Sequence, residues 1–254
     1  MLIAVTRPIS PSFADGERTH IEREPIDLNA ANLEHRAYED ALRGLGASIV
    51  HAPDAPDQPD AVFVEDAALV LDEVAVITRP GAPSRRPETI GIAEVLGTYR
   101  ELRHLEAPAT LDGGDVLRLG RVLYVGQSQR TNANAVSQLQ SLLKPWAYRV
   151  VPVEVTGCLH LKSAVTAVGE KRLLINRAWI DAGAFDADEL IDVASEEPFG
   201  ANALLVRESV IYPAHLTRTA ERLERCGVNV IRTACSEIAK AEGAVTCCSL
   251  VFES

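Results

Sequence analysis

The sequence predicts an α/β fold, a five-bladed propeller forming one domain over residues 1–254 with a site at its centre. Three observations predict it. An apolar hairpin pattern recurs with starts near Val62, Leu111, Leu159, Ala201 and Thr246, at intervals of 49, 48, 42 and 45 residues, and self-similarity at such a period marks a propeller or array. Most intervals then carry a helical pattern and a short strand. The fifth hairpin lacks a second strand, which residues 2–5 could supply, closing a ring without free sheet edges. A doubly wound parallel sheet is the rival reading. The tight turns argue against it, because parallel strands need crossovers.

In order, residues 2–5 are apolar and end at Arg7-Pro8, a strand closed by a turn. Residues 9–29 are polar and turn-rich around Gly16, too long for an ordinary connector, and read as a lid or binding loop. Residues 33–45 place Leu33, Tyr38, Ala41, Leu42 and Leu45 at helical spacing, stopped by Gly46. Residues 48–50 follow as a strand. Residues 62–71 and 74–78 flank a turn at Asp72-Glu73. Residues 111–119 and 122–125, 159–168 and 172–175, and 201–206 and 209–213 repeat the hairpin. Helical patterns at 88–101, 134–143 and 217–225 lead into short strands at 104–105, 149–151 and 228–231. The fourth interval, 184–195, is shorter, and its helical pattern is poorer. Finally, a small-residue approach from Gly243 enters Cys247-Cys248 and an apolar run to Phe252. Both cysteines therefore sit where a loop enters a buried strand.

Composition narrows the function class. A chain of 254 residues with 47% hydrophobic and 24% charged residues can bury a sizeable core. A net charge of −11 excludes the basic face that nucleic-acid binding needs and suits a cationic small substrate. The five cysteines, Cys158, Cys226, Cys235, Cys247 and Cys248, are odd in number and irregularly spaced, with neither a disulfide framework nor a paired zinc pattern. No apolar run approaches a membrane span, and the opening strand is shorter than the apolar core of a signal peptide. The expectation is a cytoplasmic protein with free thiols and no membrane partner. A homodimer is compatible with the sequence.

A ring sets equivalent repeat positions side by side around its axis. Those positions hold Glu65-Asp66, Asp112, His160 and Cys247, each beside the start of an apolar hairpin, where an unpaired polar group is costly. Singly, the aspartates could cap turns, the histidine could be a satisfied core residue and the cysteines small core hydrophobes. Jointly they make a nucleophile, an acid–base group and anions.

The motifs Phe-Val-Glu-Asp (63–66), Thr-Arg-Pro-Gly with Ser-Arg-Arg (78–86), Leu-Asp-Gly-Gly-Asp (111–115), Arg-Thr-Asn (130–132), Leu-His-Leu-Lys-Ser (159–163) and Thr-Cys-Cys-Ser (246–249) occur in this order. In these the chain resembles the dimethylargininases of the guanidino-modifying pentein superfamily, over nearly its whole length. The resemblance implies hydrolysis of methylated arginines to citrulline without metal or organic cofactor. It implies Cys247 as nucleophile, His160 as general acid and base, and Asp112 as the residue orienting His160. Asp66 would bind the guanidinium, Arg85 and Arg130 the substrate carboxylate, and Asp60 and Glu65 the amine end. The loop around Gly16 would be the lid. Glu17 stands where some members carry an apolar residue after the glycine, so the lid contact differs here. Cys248 receives no chemistry.

Other readings stay open at this point. An arginine deiminase or amidinotransferase would share the superfamily. A non-catalytic arginine-binding propeller belongs to another class. A zinc site of His160, Cys247 and Cys248 is a third, although adjacent cysteines suit tetrahedral zinc poorly.

Overall fold

The computed structural model describes residues 1–254. The strands form five sheets of three. The chain begins with β1 (Leu2–Thr6), α1 (Leu28–Gly44) and β2 (Ser48–His51), then β3 (Ala68–Val70), β4 (Val74–Ile77), α2 (Thr89–Leu96) and β5 (Glu101–His104). It continues with β6 (Val116–Leu119), β7 (Val122–Gln127), α3 (Ala133–Leu143), β8 (Arg149–Glu154), α4 (Leu161–Ala164), β9 (Val165–Gly169), β10 (Arg172–Ile175) and β11 (Glu189–Asp192). The last elements are β12 (Leu204–Val206), β13 (Ser209–Pro213), α5 (Thr217–Arg225), β14 (Asn229–Thr233), α6 (Ser236–Ala239) and β15 (Leu250–Glu253).

Every sheet follows one rule. An inner strand pairs antiparallel with a middle strand, which pairs parallel with an outer strand that arrives by crossover. The first sheet is assembled from both ends of the sequence. β1 is its middle strand, with Leu2 opposite Glu253 and Val5 opposite Leu250 of β15, and with β2 parallel on its other side. The inner strands β15, β3, β6, β9 and β12 all contribute to a central cleft of about 500 Å³. Apolar residues pack between neighbouring sheets, as where Leu69 and Val76 of one meet Val116 and Leu123 of the next.

The fourth interval corrects the sequence reading. Residues 184–195 hold no helix. A single short turn, Ala182–Ala184, carries the chain into β11, whose Leu190 and Ile191 pair with Leu173 and Leu174. The segment lacks the apolar stripe that a crossover helix needs. Helix boundaries moved for local reasons. α1 starts five residues earlier than its apolar spacing, because the Asp27 side chain caps it by accepting from the N–H groups of Asn29 and Ala30. α2 stops before Gly97, and Glu101 opens β5 rather than closing the helix.

The inner strands also start later than the apolar runs. Short turns at Val64–Ala67, Gly113–Asp115 and Leu161–Ala164, and a turn over residues 245–248, precede β3, β6, β9 and β15. A continuous apolar run fits a buried turn of helix as well as a buried strand. This matters for function, because the polar residues at the repeat starts lie on these turns, outside the sheet ladders.

Candidate active site

The turns put three side chains against one small cavity. Its lining includes Asp66, His160 and Cys247 from three inner turns, with Asp60, Arg85 and Arg130 and, from the loop over it, Glu17. Asp112, fully buried, stands behind His160. Each ring nitrogen of His160 faces a carboxylate, with Nε2 3.2 Å from Asp112 Oδ2 and Nδ1 4.0 Å from Asp66 Oδ1. Such an imidazole is held by two anions at fixed distance. Burial alone would lower its pKa, but Asp66, the hydrogen bond to Asp112 and the charge of Asp115 outweigh that and raise it to about 9. His160 is therefore an imidazolium at neutral pH.

Asp66 is fixed by the Gly114 N–H at 2.9 Å and by Arg85 Nη1 at 2.7 Å. Burial opposes its charge, yet His160 and Arg85 hold its pKa down at about 2. The glycine pair of Leu-Asp-Gly-Gly-Asp is a packing requirement. A Cβ on Gly113 would lie 2.0 Å from the Glu65 carbonyl oxygen, and one on Gly114 would lie 2.6 Å from His160 Nδ1. Only a residue without a side chain lets these two turns approach so closely.

Cys247 is half-buried and faces the cavity, whereas Cys248 is buried in the apolar core, its Sγ directed at the Ala244 carbonyl. The two diverge although both lie in a turn rather than on alternating faces of a strand. Burial raises the Cys247 pKa above the ordinary thiol value, and the charges of Glu65 and Asp66 raise it further. The thiol is protonated in the free protein. The inward-facing Cys248 removes the third ligand from the proposed zinc set. Ligand atoms of Asp66, Asp112 and His160 do lie within 4.8 Å of one another, but each is already paired as described.

Three residues expected to touch substrate have other partners. Arg85 pairs with Asp66 and Glu88, and its Nη2 also donates to the carbonyls of Asp60 and Phe63. It steadies Asp66, which leaves Arg130 as the less committed guanidinium, 3.7 Å from Asp112 and 3.3 Å from the Thr19 hydroxyl. Glu65 points to the ring axis, where it accepts from Lys162 Nζ at 2.6 Å and from the Thr246 hydroxyl at 2.7 Å. It braces the turn that carries Cys247. Asp60 accepts from the Glu17 N–H at 2.9 Å and lies 3.9 Å from Arg18 Nη1.

The last contacts belong to the loop around Gly16, which covers the cavity. Glu242 accepts from the N–H groups of Thr19 and His20 at 2.7 and 2.8 Å. Ser84 donates to the Glu17 carboxylate at 2.8 Å. Under this cover the cavity measures about 20 Å³, room for about one water molecule and not for an amino acid.

A family model described as N,N dimethylarginine dimethylhydrolase, eukaryotic, matches residues 16–252. The N(G),N(G)-dimethylarginine dimethylaminohydrolase of Streptomyces coelicolor is 40% identical over 249 residues, 97% of this chain and 95% of the relative. The chain belongs to the dimethylarginine dimethylaminohydrolase family. The relative of that name from Pseudomonas aeruginosa is 35% identical over 250 residues, 98% of each chain. The structure of a cysteine-to-serine mutant of the Pseudomonas aeruginosa protein, complexed with citrulline, matches with a TM-score of 0.93 at 34% identity, over 98% of each chain. The N-terminal domain of ArgZ, an arginine dihydrolase, shares the fold with a TM-score of 0.84 at 21% identity.

Within this dimethylarginine dimethylaminohydrolase frame, the sequence reading passed over several residues. Lys162 stood in a quoted motif without a role. Asn202 fills the equivalent position of the fourth hairpin and bonds Thr246 twice, by its amide to the hydroxyl at 2.9 Å and by its oxygen to the Thr246 N–H at 3.1 Å. The repeat offset itself marks Asn202. Arg18 and Glu242 carry no such signal, because long-range pairing alone gives them their partners; Glu88 pairs locally with Arg85, three residues before it.

Proposed function

We propose that this protein hydrolyses arginines methylated on the guanidinium, releasing citrulline and dimethylamine or methylamine, with Cys247 as nucleophile and His160 as acid and base. The observation that carries the reading is the sharing of one buried cavity by the Asp66 carboxylate, the His160 imidazolium and the Cys247 thiol. A guanidinium carbon is a poor electrophile because its charge is delocalised. Asp66 offers a fixed carboxylate to its N–H groups and aligns the carbon for attack.

Binding begins with opening of the loop around Gly16, since the closed cavity holds no amino acid. The incoming guanidinium reverses the local negative field around Cys247, and the thiol gives its proton to solvent. The thiolate adds to the guanidinium carbon. His160 donates its proton to the departing nitrogen, and the C–N bond breaks to release the amine. An S-alkylthiouronium remains on Cys247. Neutral His160 then takes a proton from water as its oxygen attacks the same carbon. Collapse breaks the C–S bond, the remaining hydroxyl proton passes to solvent as the C=O forms, and citrulline and the thiolate are freed. Asp112 holds the ring through both proton transfers.

The test is mass-spectrometric detection of citrulline and dimethylamine from asymmetric dimethylarginine, with arginine in parallel. Both products from the methylated substrate are expected. Citrulline and ammonia from arginine, with the methylated substrate untouched, would instead make the protein a deiminase. No turnover of either would favour the binding propeller.

A further inference from the structure

Asp115 has no part in the reaction as written, yet it is fully buried and accepts three hydrogen bonds. The Leu161 N–H, next to His160, donates to Oδ1 at 2.9 Å. The Ser128 and Thr131 hydroxyls donate to Oδ2 at 2.6 and 2.7 Å. Those hydroxyls serve the neighbouring functional segments in turn. Ser128 Oγ accepts from the Arg130 N–H at 3.0 Å, and Thr131 Oγ1 accepts from the Asp112 N–H at 3.2 Å. One carboxylate thus ties the backbones at His160, Asp112 and Arg130. Asp112 and Arg130 flank the β6–β7 hairpin of one sheet, whereas His160 precedes β9 of the next, and Asp115 links it to them.

We propose that Asp115 is a positioning residue, the common anchor that registers His160 against Asp112 and Arg130 in the reaction proposed above, on which this inference rests. Both its oxygens are held by these donors and it does not line the cavity, so it takes no part in proton transfer. Its charge lies behind the imidazole and opposes the departure of the His160 proton. Burial raises the Asp115 pKa to about 6, so the carboxylate is ionised at neutral pH. The groups facing His160 are Asp66, Asp112 and Asp115, with Arg85 behind Asp66, Arg130 beside Asp112 and Cys247 across the cavity. Asp115 also faces the Cys158 thiol, whose Sγ donates to the His160 carbonyl at 3.4 Å.

The experiment compares full-length wild type, Asp115→Asn, Thr131→Val and Thr131→Ser by kcat, KM and histidine NMR titration, with His160→Asn to assign the His160 signal. In Asp115→Asn the His160 midpoint is expected to fall by about one unit, as for loss of one nearby charge. The alkaline limb of kcat should follow it, and kcat should drop about tenfold, less than the roughly 10²-fold or more lost with an acid–base group itself. Thr131→Val should raise KM and leave the His160 midpoint in place, and Thr131→Ser should restore wild-type KM. A folded Asp115→Asn protein with wild-type midpoint and kcat overturns the proposal. If that variant does not fold, wild-type kinetics in Thr131→Val overturn it. The NMR titration needs no substrate, so a protein inactive on methylarginines would sink the functional reading while still scoring Asp115.

Discussion

The floor of the cavity and the loop above it are built on opposite terms. On the floor, the side chains of Asp66, Asp112 and His160 are at most 6% exposed, each fixed by buried partners. The loop between Phe13 and Asp27 has one short turn, Phe13–Asp15, and is held over the cavity by N–H groups donating to Asp60 and Glu242 and by one ionic contact, Arg18 beside Asp60. A hydrogen bond that water can replace contributes only about 1 kcal/mol net. A buried ionic group stripped of its partner loses far more. The difference separates two tasks: the floor is preorganised for chemistry, and the loop can open at modest cost to admit substrate.

The largest break in that comparison is Cys247→Ser, expected to lower kcat by at least about 10⁴-fold, in line with loss of a nucleophile. Cys248→Ser, one residue along but facing the core, should keep turnover within about twofold while lowering the melting temperature. If Cys248→Ser were the inactive variant in the same assay, the nucleophile would be misassigned. Next, His160→Asn should bind substrate and lose about 10²- to 10⁴-fold in kcat, the range for general acid–base catalysis. The wild-type rate should fall as pH rises through about 9, because the imidazolium that protonates the leaving amine is lost. A rate still climbing above that pH would remove His160 as the acid.

Arg130→Lys should act on binding, raising KM about tenfold with little change in kcat, because Lys keeps the charge and loses the fork. An unchanged KM would place the substrate carboxylate elsewhere. The smallest effect sharpens the other side of the comparison. Glu242→Gln should lower KM by about threefold and speed amide exchange at Thr19 and His20, since one good acceptor in place of two eases opening of the loop by about 1 kcal/mol. Unchanged exchange there would show that Glu242 does not hold the loop shut.

Much of this was legible in the sequence, and for an identifiable reason. Repeat spacing locates equivalent positions whatever their partners, so the turns carrying Asp66, Asp112, His160 and Cys247 stood out from their offset. Their place beside an apolar run showed that polarity there needed an explanation. What stayed hidden was choice of partner. Nothing local tells Arg85 to reach Asp66, 19 positions away, or sends Glu65 to Lys162, 97 positions away. The helix expected over residues 184–195 failed differently, because a regular repeat invited a crossover that a single turn at Ala182–Ala184 supplies.

The pairing of β1 with β15 ties catalytic competence to the order of synthesis. Cys247 emerges from the ribosome long after the four preceding inner strands, and the turn that carries it leads straight into β15, whose partner β1 lies more than 240 residues earlier. A contact of such sequence separation is among the slowest to form. A nascent or half-folded chain therefore carries its carboxylates and imidazole without a thiol held against them. Cys247 joins Asp66 and His160 at the cavity only when the circle shuts, so the last step of folding also completes the proposed site.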